Sequence, residues 1–175
     1  IGSQILTHYP KSIALSKSIT RQESRLSSTQ KENVVVNELL ATLVERIAFE
    51  ARESEYVDSK SGVSARLTIT AYENLVSTAE RRMLLNGETK TFVRISDLFG
   101  VIPAVNGKIE LVYEGEQEGT MIVAQNLIGK AIRSQFALYF PNPEKLKRKK
   151  EVNPYQEIID WFSAGNEIDL LNDLS

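Results

Sequence analysis

The sequence predicts a mostly helical protein with little or no β structure, and three stretches carry that prediction. Residues 34–56, 65–86 and 121–140 each repeat apolar side chains at three- and four-residue spacing, the period of a helix with one face turned to a core. Against them stands the β-branched and aromatic segment KTFVRI (90–95), short enough to be a strand or a plain extended connector.

Composition narrows the function classes. A chain of 175 residues has room for one or two small domains with a real core. Hydrophobic residues make up 42% and the net charge is -2, so the chain is not of the disordered class and carries no overall basic balance for nucleic acid. With no cysteine, disulfides, Cys-zinc sites and thiol nucleophiles are excluded. A single histidine, His8, argues against a His-rich metal site or a Ser-His-Asp triad, and is expected to be a polar loop residue. No apolar run approaches the roughly 20 residues needed to span a bilayer. The opening IGSQILTHYP, without methionine, has the character of the middle of a longer protein.

In chain order, Tyr9-Pro10 favours extended backbone and Pro10 is expected to open a helix over 11–26, in which Ile13 and Ile19 give a weak apolar stripe. Residues 27–31 are polar and turn-like. Asn33 is a candidate cap for the next helix, where Val36, Leu39, Leu40, Leu43, Val44, Ile47 and Ala48 form a broad apolar stripe. Glu45, Arg46, Glu50 and Arg52 are placed on its outer side as surface pairs, each worth a few tenths of a kcal/mol. After KTFVRI, Ser96-Asp97 is expected to start a helix that breaks near Pro103 and resumes through Gly107; a strand over 108–113 is the alternative. EGEQEG (114–119) is expected to be a loop. The next helix carries Ile122, Val123, Ala124, Leu127, Ile128, Ala131, Ile132 and Phe136 and stops before Pro141. Residues 141–154, with the run KLKRKK, form the expected linker, more simply a solvated segment than a nucleic-acid patch. The tail is expected to form two short helices parted at Gly165. Trp161 and Phe162 are assigned to core or interdomain packing.

The stretch 58–87 organises the rest. A polar turn with Ser61 and Gly62 leads to Ser64, whose hydroxyl can cap a helix starting near Ala65. Leu67, Ala71, Leu75 and Ala79, with Tyr72, Val76 and Met83, share one face, and Gly87 ends the helix in a left-handed conformation. Arg66 falls in the first turn, where unpaired N–H groups and the macrodipole make a cation unfavourable by about 0.3 to 1 kcal/mol. An opposing anion explains it, since guanidinium and helix N-terminus both favour phosphate oxygens. The plainer explanation is a surface arginine paired with Asp58 or Glu55. Arg81 and Arg82, in the last turn, suit the opposite end of the dipole.

The order SGVSARL (61–67), ERRMLLNGE (80–88), FVRI and SDL (96–98) resembles the C-terminal lid of AAA+ ATPases, most closely the magnesium-chelatase subunit I and MoxR branch. That lid has a Gly-x-Ser-x-Arg turn, a long helix, a short extended piece and a second helix started by Ser or Thr with Asp. The likeness covers roughly residues 1–106. It departs at Ala65, where the family usually has proline. It implies a lid-like helical bundle over 1–106, a helical extension over 107–175 with the basic linker near 141–154, and Arg66 as the "sensor 2" arginine at the nucleotide's terminal phosphate. It further implies ATP and magnesium in an intact parent protein, and as partners the parent's own AAA+ core domain, a homo-oligomeric ring of subunits in the cytoplasm, and a protein substrate or co-subunit. Metal insertion into a porphyrin is one possible task.

No phosphate-cradling G-x-x-x-x-G-K-[ST] loop and no Walker B pair are present. IGKA (128–131) sits in an apolar helix, where its glycine suits packing. The chain therefore has no catalytic or metal-binding residue of its own to offer and needs no cofactor alone; membrane and nucleic acid are not expected partners. Two rivals stand beside the lid: a free-standing helical adaptor binding a protein through 161–174, and a regulator touching nucleic acid through 145–150.

Overall fold

The computed structural model describes residues 2–143 and 153–166, and it is mostly helical with one tiny two-stranded sheet. The chain divides into two compact units, 1–132 and 133–175. Among the described residues no helix is long and apolar enough to cross a membrane.

The first unit is built around the long helix α4, and the elements before it are set by their caps. Helix α1 (Ile13–Glu23) starts after Ser12, whose Oγ accepts the Leu15 N–H at 3.2 Å, two residues beyond the expected proline start. Residues 27–31, expected as a turn, instead cap and begin helix α2 (Ser28–Asn33), because Ser27 and Gln30 close a reciprocal capping box. Asn33 does not cap the following helix. The chain extends instead through strand β1 (Val34–Val35), and Asn37 caps helix α3 (Glu38–Arg52) by accepting the Leu40 N–H at 2.9 Å.

Helix α4 (Arg66–Leu85) buries Leu67, Ala71, Leu75, Val76, Ala79 and Met83, the face read from its periodicity. It ends as expected at Gly87, with φ 69: Glu88 N–H donates to Met83 O at 2.9 Å and Gly87 N–H to Leu84 O at 3.2 Å, a Schellman pair. KTFVRI then supplies strand β2 (Thr91–Phe92), parallel to β1 with Val34 opposite Thr91 and Val35 opposite Phe92.

The Ser96-Asp97 region begins as a 3-10 helix (Ile95–Val101) and passes into helix α5 (Ile102–Asn106), with Pro103 accommodated in its first turn. The helix does not resume through Gly107. Residues 108–112 turn back beside 56–58, where Asp58 N–H donates to Glu110 O at 2.9 Å, Val112 N–H donates to Tyr56 O at 3.1 Å, and Val57 and Leu111 form an antiparallel bridge. EGEQEG is a helix, not a loop: α6 (Tyr113–Glu118) sets Gly115 so close to Tyr56 that an added Cβ would lie 2.5 Å from its carbonyl oxygen.

Helix α7 (Thr120–Tyr139) follows, and its Val123, Ala124, Leu127, Ile128 and Ala131 complete the core of the first unit. In that unit α4 packs against α1, α2, α3, β2, the 3-10 helix and α5.

In the second unit Phe136 stacks on Phe140 with ring centroids 4.7 Å apart, Tyr155 tilts against Phe136 at 5.8 Å, and the Tyr155 hydroxyl donates to Pro141 O at 2.7 Å. Helix α8 (Gln156–Ser163) ends near Gly165, and its Ile158, Ile159, Trp161 and Phe162 are exposed rather than packed away. The expected second tail helix with Ile168 to Leu174, and the basic run 145–150, lie outside the described residues.

Candidate functional site

The turn that presents Arg66 is held from several sides. Asp58 folds it locally: Oδ1 accepts Lys60 N–H at 3.0 Å, and Oδ2 accepts the Ser61 N–H at 3.3 Å and hydroxyl at 2.8 Å. These bonds hold the Asp58 carboxyl below its ordinary range, the Lys60 amide first among them. Gly62 N–H closes onto Asp58 O at 3.1 Å with φ 70, a left-handed backbone that suits glycine. The Ser61 hydroxyl lies within hydrogen-bond reach of Glu110 as well, so its one proton is shared between the turn and the returning segment.

Arg52, at the end of α3, fastens the other flank. Its Nε and Nη2 donate to the Val63 carbonyl at 3.4 Å each, while its guanidinium lies 4.7 Å from the Tyr9 ring centroid and 5.2 Å from that of Phe49. The expected surface role for Arg52 is therefore corrected, and so is that of Glu45, which is 1% exposed; among the four charges only Arg46 and Glu50 form the foreseen pair, at 3.0 Å.

Ser64 caps less directly than expected. Its Oγ accepts the Arg66 N–H at 3.2 Å and its carbonyl the Leu67 N–H at 3.0 Å, but Ala65 is the residue preceding the first helical one. No acidic residue lies in the first turn of α4. Arg66 is exposed, and among the described residues it forms no ion pair with Asp58, Glu55 or another carboxylate.

Beside this helix end opens a cleft of about 780 Å³. Residues 7–10 form one wall, Ser61, Gly62, Ser64 and Ala65 a second, and residues 107–110 a third. Arg66 is not among the lining residues. Lys108 is, and it brings an ammonium that the sequence had not singled out. His8 also lines the cleft, its Nδ1 2.8 Å from the Tyr9 carbonyl oxygen. The glycine and serine pattern marked the second wall; nothing in the order of residues marked the other two, which come from segments distant in sequence.

Arg82 departs most from its expected role. It reaches Asp97 through two bonds, Nε to Oδ1 at 3.1 Å and Nη2 to Oδ2 at 2.9 Å, and also donates to Thr91 Oγ1 and the Phe92 carbonyl. It is a structural tie between α4, β2 and the 3-10 helix.

No protein-family model, curated protein or solved structure matches this chain.

Proposed function

We propose that the chain is the lid portion of a magnesium-chelatase-like AAA+ ATPase, with Arg66 as its nucleotide-sensing arginine. The observation that supports this most is an exposed guanidinium without an ion pair among the described residues, in the first turn of a 20-residue helix that has no acidic residue there. The local pair with Asp58 or Glu55, the plainer explanation of this arginine, is not formed among the described residues. The cleft beside it offers a polyphosphate the hydroxyl of Ser64 and the ammonium of Lys108, with the Glu110 carboxylate, in reach of the Ser61 hydroxyl, on the same lining. Asp58 is engaged by its own turn, so magnesium is assigned to the parent's core domain rather than to this chain.

In this account ATP supplies the driving reaction in the cytoplasmic parent ring, and the lid reports nucleotide state to its own core and to the next subunit. The chain alone has no phosphate loop and no catalytic carboxylate pair. The purified 175-residue chain, given ATP and magnesium, should release no phosphate above background; measurable turnover would contradict the lid assignment.

One observation favours a second reading. Helix α8 leaves Ile158, Ile159, Trp161 and Phe162 between 44% and 54% exposed, which suits a protein-binding adaptor. The adaptor requires no nucleotide, so tight partner binding that is indifferent to Arg66→Ala would favour it.

A further inference from the structure

Helix α1 is joined to the first unit in a way no other long helix is. The contiguous core cluster begins at Val34, with Leu26 packed at its margin, and among the described residues before Leu26 none enters it. The two side chains that α1 fully buries are polar, Ser16 and Thr20; its Ile13 and Ile19 are half-buried without joining the core cluster, and its Leu15 is 48% exposed.

Polar groups do the joining. The Ser16 hydroxyl donates to the buried Glu45 carboxyl of α3, and Thr20 Oγ1 lies 2.8 Å from Thr68 Oγ1 of α4. Lys17 and Arg21 both pair with Glu38, and Lys17 also donates to Thr42 Oγ1 at 3.1 Å. Just upstream, Tyr9 rests on the Arg52 guanidinium.

Such contacts exchange readily for water. A hydrogen bond contributes only a modest net stabilisation because both partners are rehydrated when it breaks. Burying a large apolar side chain contributes more, with no comparable compensation on exposure. Opening also returns the Glu45 carboxyl to water. Of the long helices of the first unit, the one that opens at least cost is therefore α1, with the strap before it, and Thr7 to Pro10 of that strap form one wall of the cleft.

We propose that residues 7–23 are a detachable flap, docked on α3 and α4 by the hydroxyl and carboxyl cluster of Ser16, Thr20, Glu45 and Thr68, which opens as a unit while α3 and α4 stay folded and so removes one wall of the cleft and widens access to its floor. This goes beyond the nucleotide assignment and does not depend on it.

The absence of native cysteine makes a clean test possible in the whole chain. Native-state hydrogen exchange should show α1 amides opening about a hundredfold more readily than the core amides of α3 and α4, as expected for a sub-global opening. Thr20→Ala should speed α1 exchange about three- to tenfold and leave α3 and α4 unchanged. Joining Thr20→Cys to Thr68→Cys by a disulfide should slow α1 exchange at least tenfold, reversibly on reduction. For the cleft, a single Ile109→Cys, at a lining position that is 8% exposed, should react with a thiol reagent several-fold faster when Thr20→Ala is added. Protection of α1 equal to that of α3 and α4 would overturn the flap. Labelling unchanged by Thr20→Ala would overturn its control of the cleft.

Discussion

Arg82 and Asp97 meet side-on: two guanidinium nitrogens bond the two carboxylate oxygens at 3.1 and 2.9 Å, and the same Oδ2 accepts the Arg94 N–H at 2.8 Å. Asp97 is 3% exposed, so this one carboxylate caps the 3-10 helix and anchors it to α4 at once.

Removing one partner leaves the other buried and uncompensated. Arg82→Ala should therefore destabilise the first unit by about 2 to 4 kcal/mol, somewhat below the range for fully buried pairs because Arg82 keeps some exposure. Urea unfolding followed by circular dichroism reads this directly. A loss under about 0.5 kcal/mol, the range of an ordinary surface substitution, would mean that the pair does not hold the elements together.

At Gly62 two constraints coincide, a φ of 70 and the Tyr9 hydroxyl, which lies in the space an added Cβ would take. Gly62→Ala should cost about 1 to 2 kcal/mol from the left-handed backbone, plus about 0.5 to 1 kcal/mol if Tyr9 is pushed off Arg52. In a Tyr9→Ala background the second part should vanish. Thermal melts of the two single variants and the double variant form the cycle, and equal costs in both backgrounds would show that Tyr9 and Gly62 do not interact.

Glu45 gives stability a pH dependence of definite sign. It is faced by Ser16 and Thr20 of α1, Thr68 of α4 and Arg52 of its own helix. Burial pushes its carboxyl above the ordinary range, opposed by the hydroxyl bonds and by Arg52. The folded state thus holds the proton more tightly than the unfolded one. This contribution is full below the unfolded pKa of about 4.3 and is lost as pH rises through the folded pKa. Glu45→Gln cannot ionise, so its stability relative to the native chain should improve across that window and then level off. Denaturant midpoints over a pH series check it; parallel profiles for the two proteins would contradict it.

How far the sequence reached depended on where each decision was made. The faces of α4 and α7 were legible because a continuous apolar stripe is a property of one helix, and Gly87 because a helix end is local. Helix α2 has no apolar stripe, and only its Ser27 and Gln30 box marks it. The sequence points to Asn33 as the cap, but β1 pairs with a strand far along the chain and so delays the helix, leaving Asn37 to cap it. Glu45 and Arg52 sit on the polar side of α3 by periodicity, yet hydroxyls from α1 and α4 and the ring of Tyr9 cover them. Of the candidate site, the Gly62 to Arg66 turn was visible and the walls brought by residues 7–10 and 107–110 were not.

The account rests on Arg66, and turnover in the intact parent protein tests it most directly. A charge-assisted contact to phosphate contributes about 1.5 to 3 kcal/mol, so Arg66→Ala should slow ATP hydrolysis about tenfold to a hundredfold, each 1.36 kcal/mol being a factor of ten. Folding should shift by no more than about 0.5 kcal/mol. The matched control is Arg81→Ala, an exposed arginine on the same helix away from its N-terminus, since Arg82 holds structure. Slow hydrolysis in the Arg66 variant, with native turnover in the Arg81 variant and unchanged melting in both, is the predicted result; equal turnover in the two variants would contradict a nucleotide-sensing role.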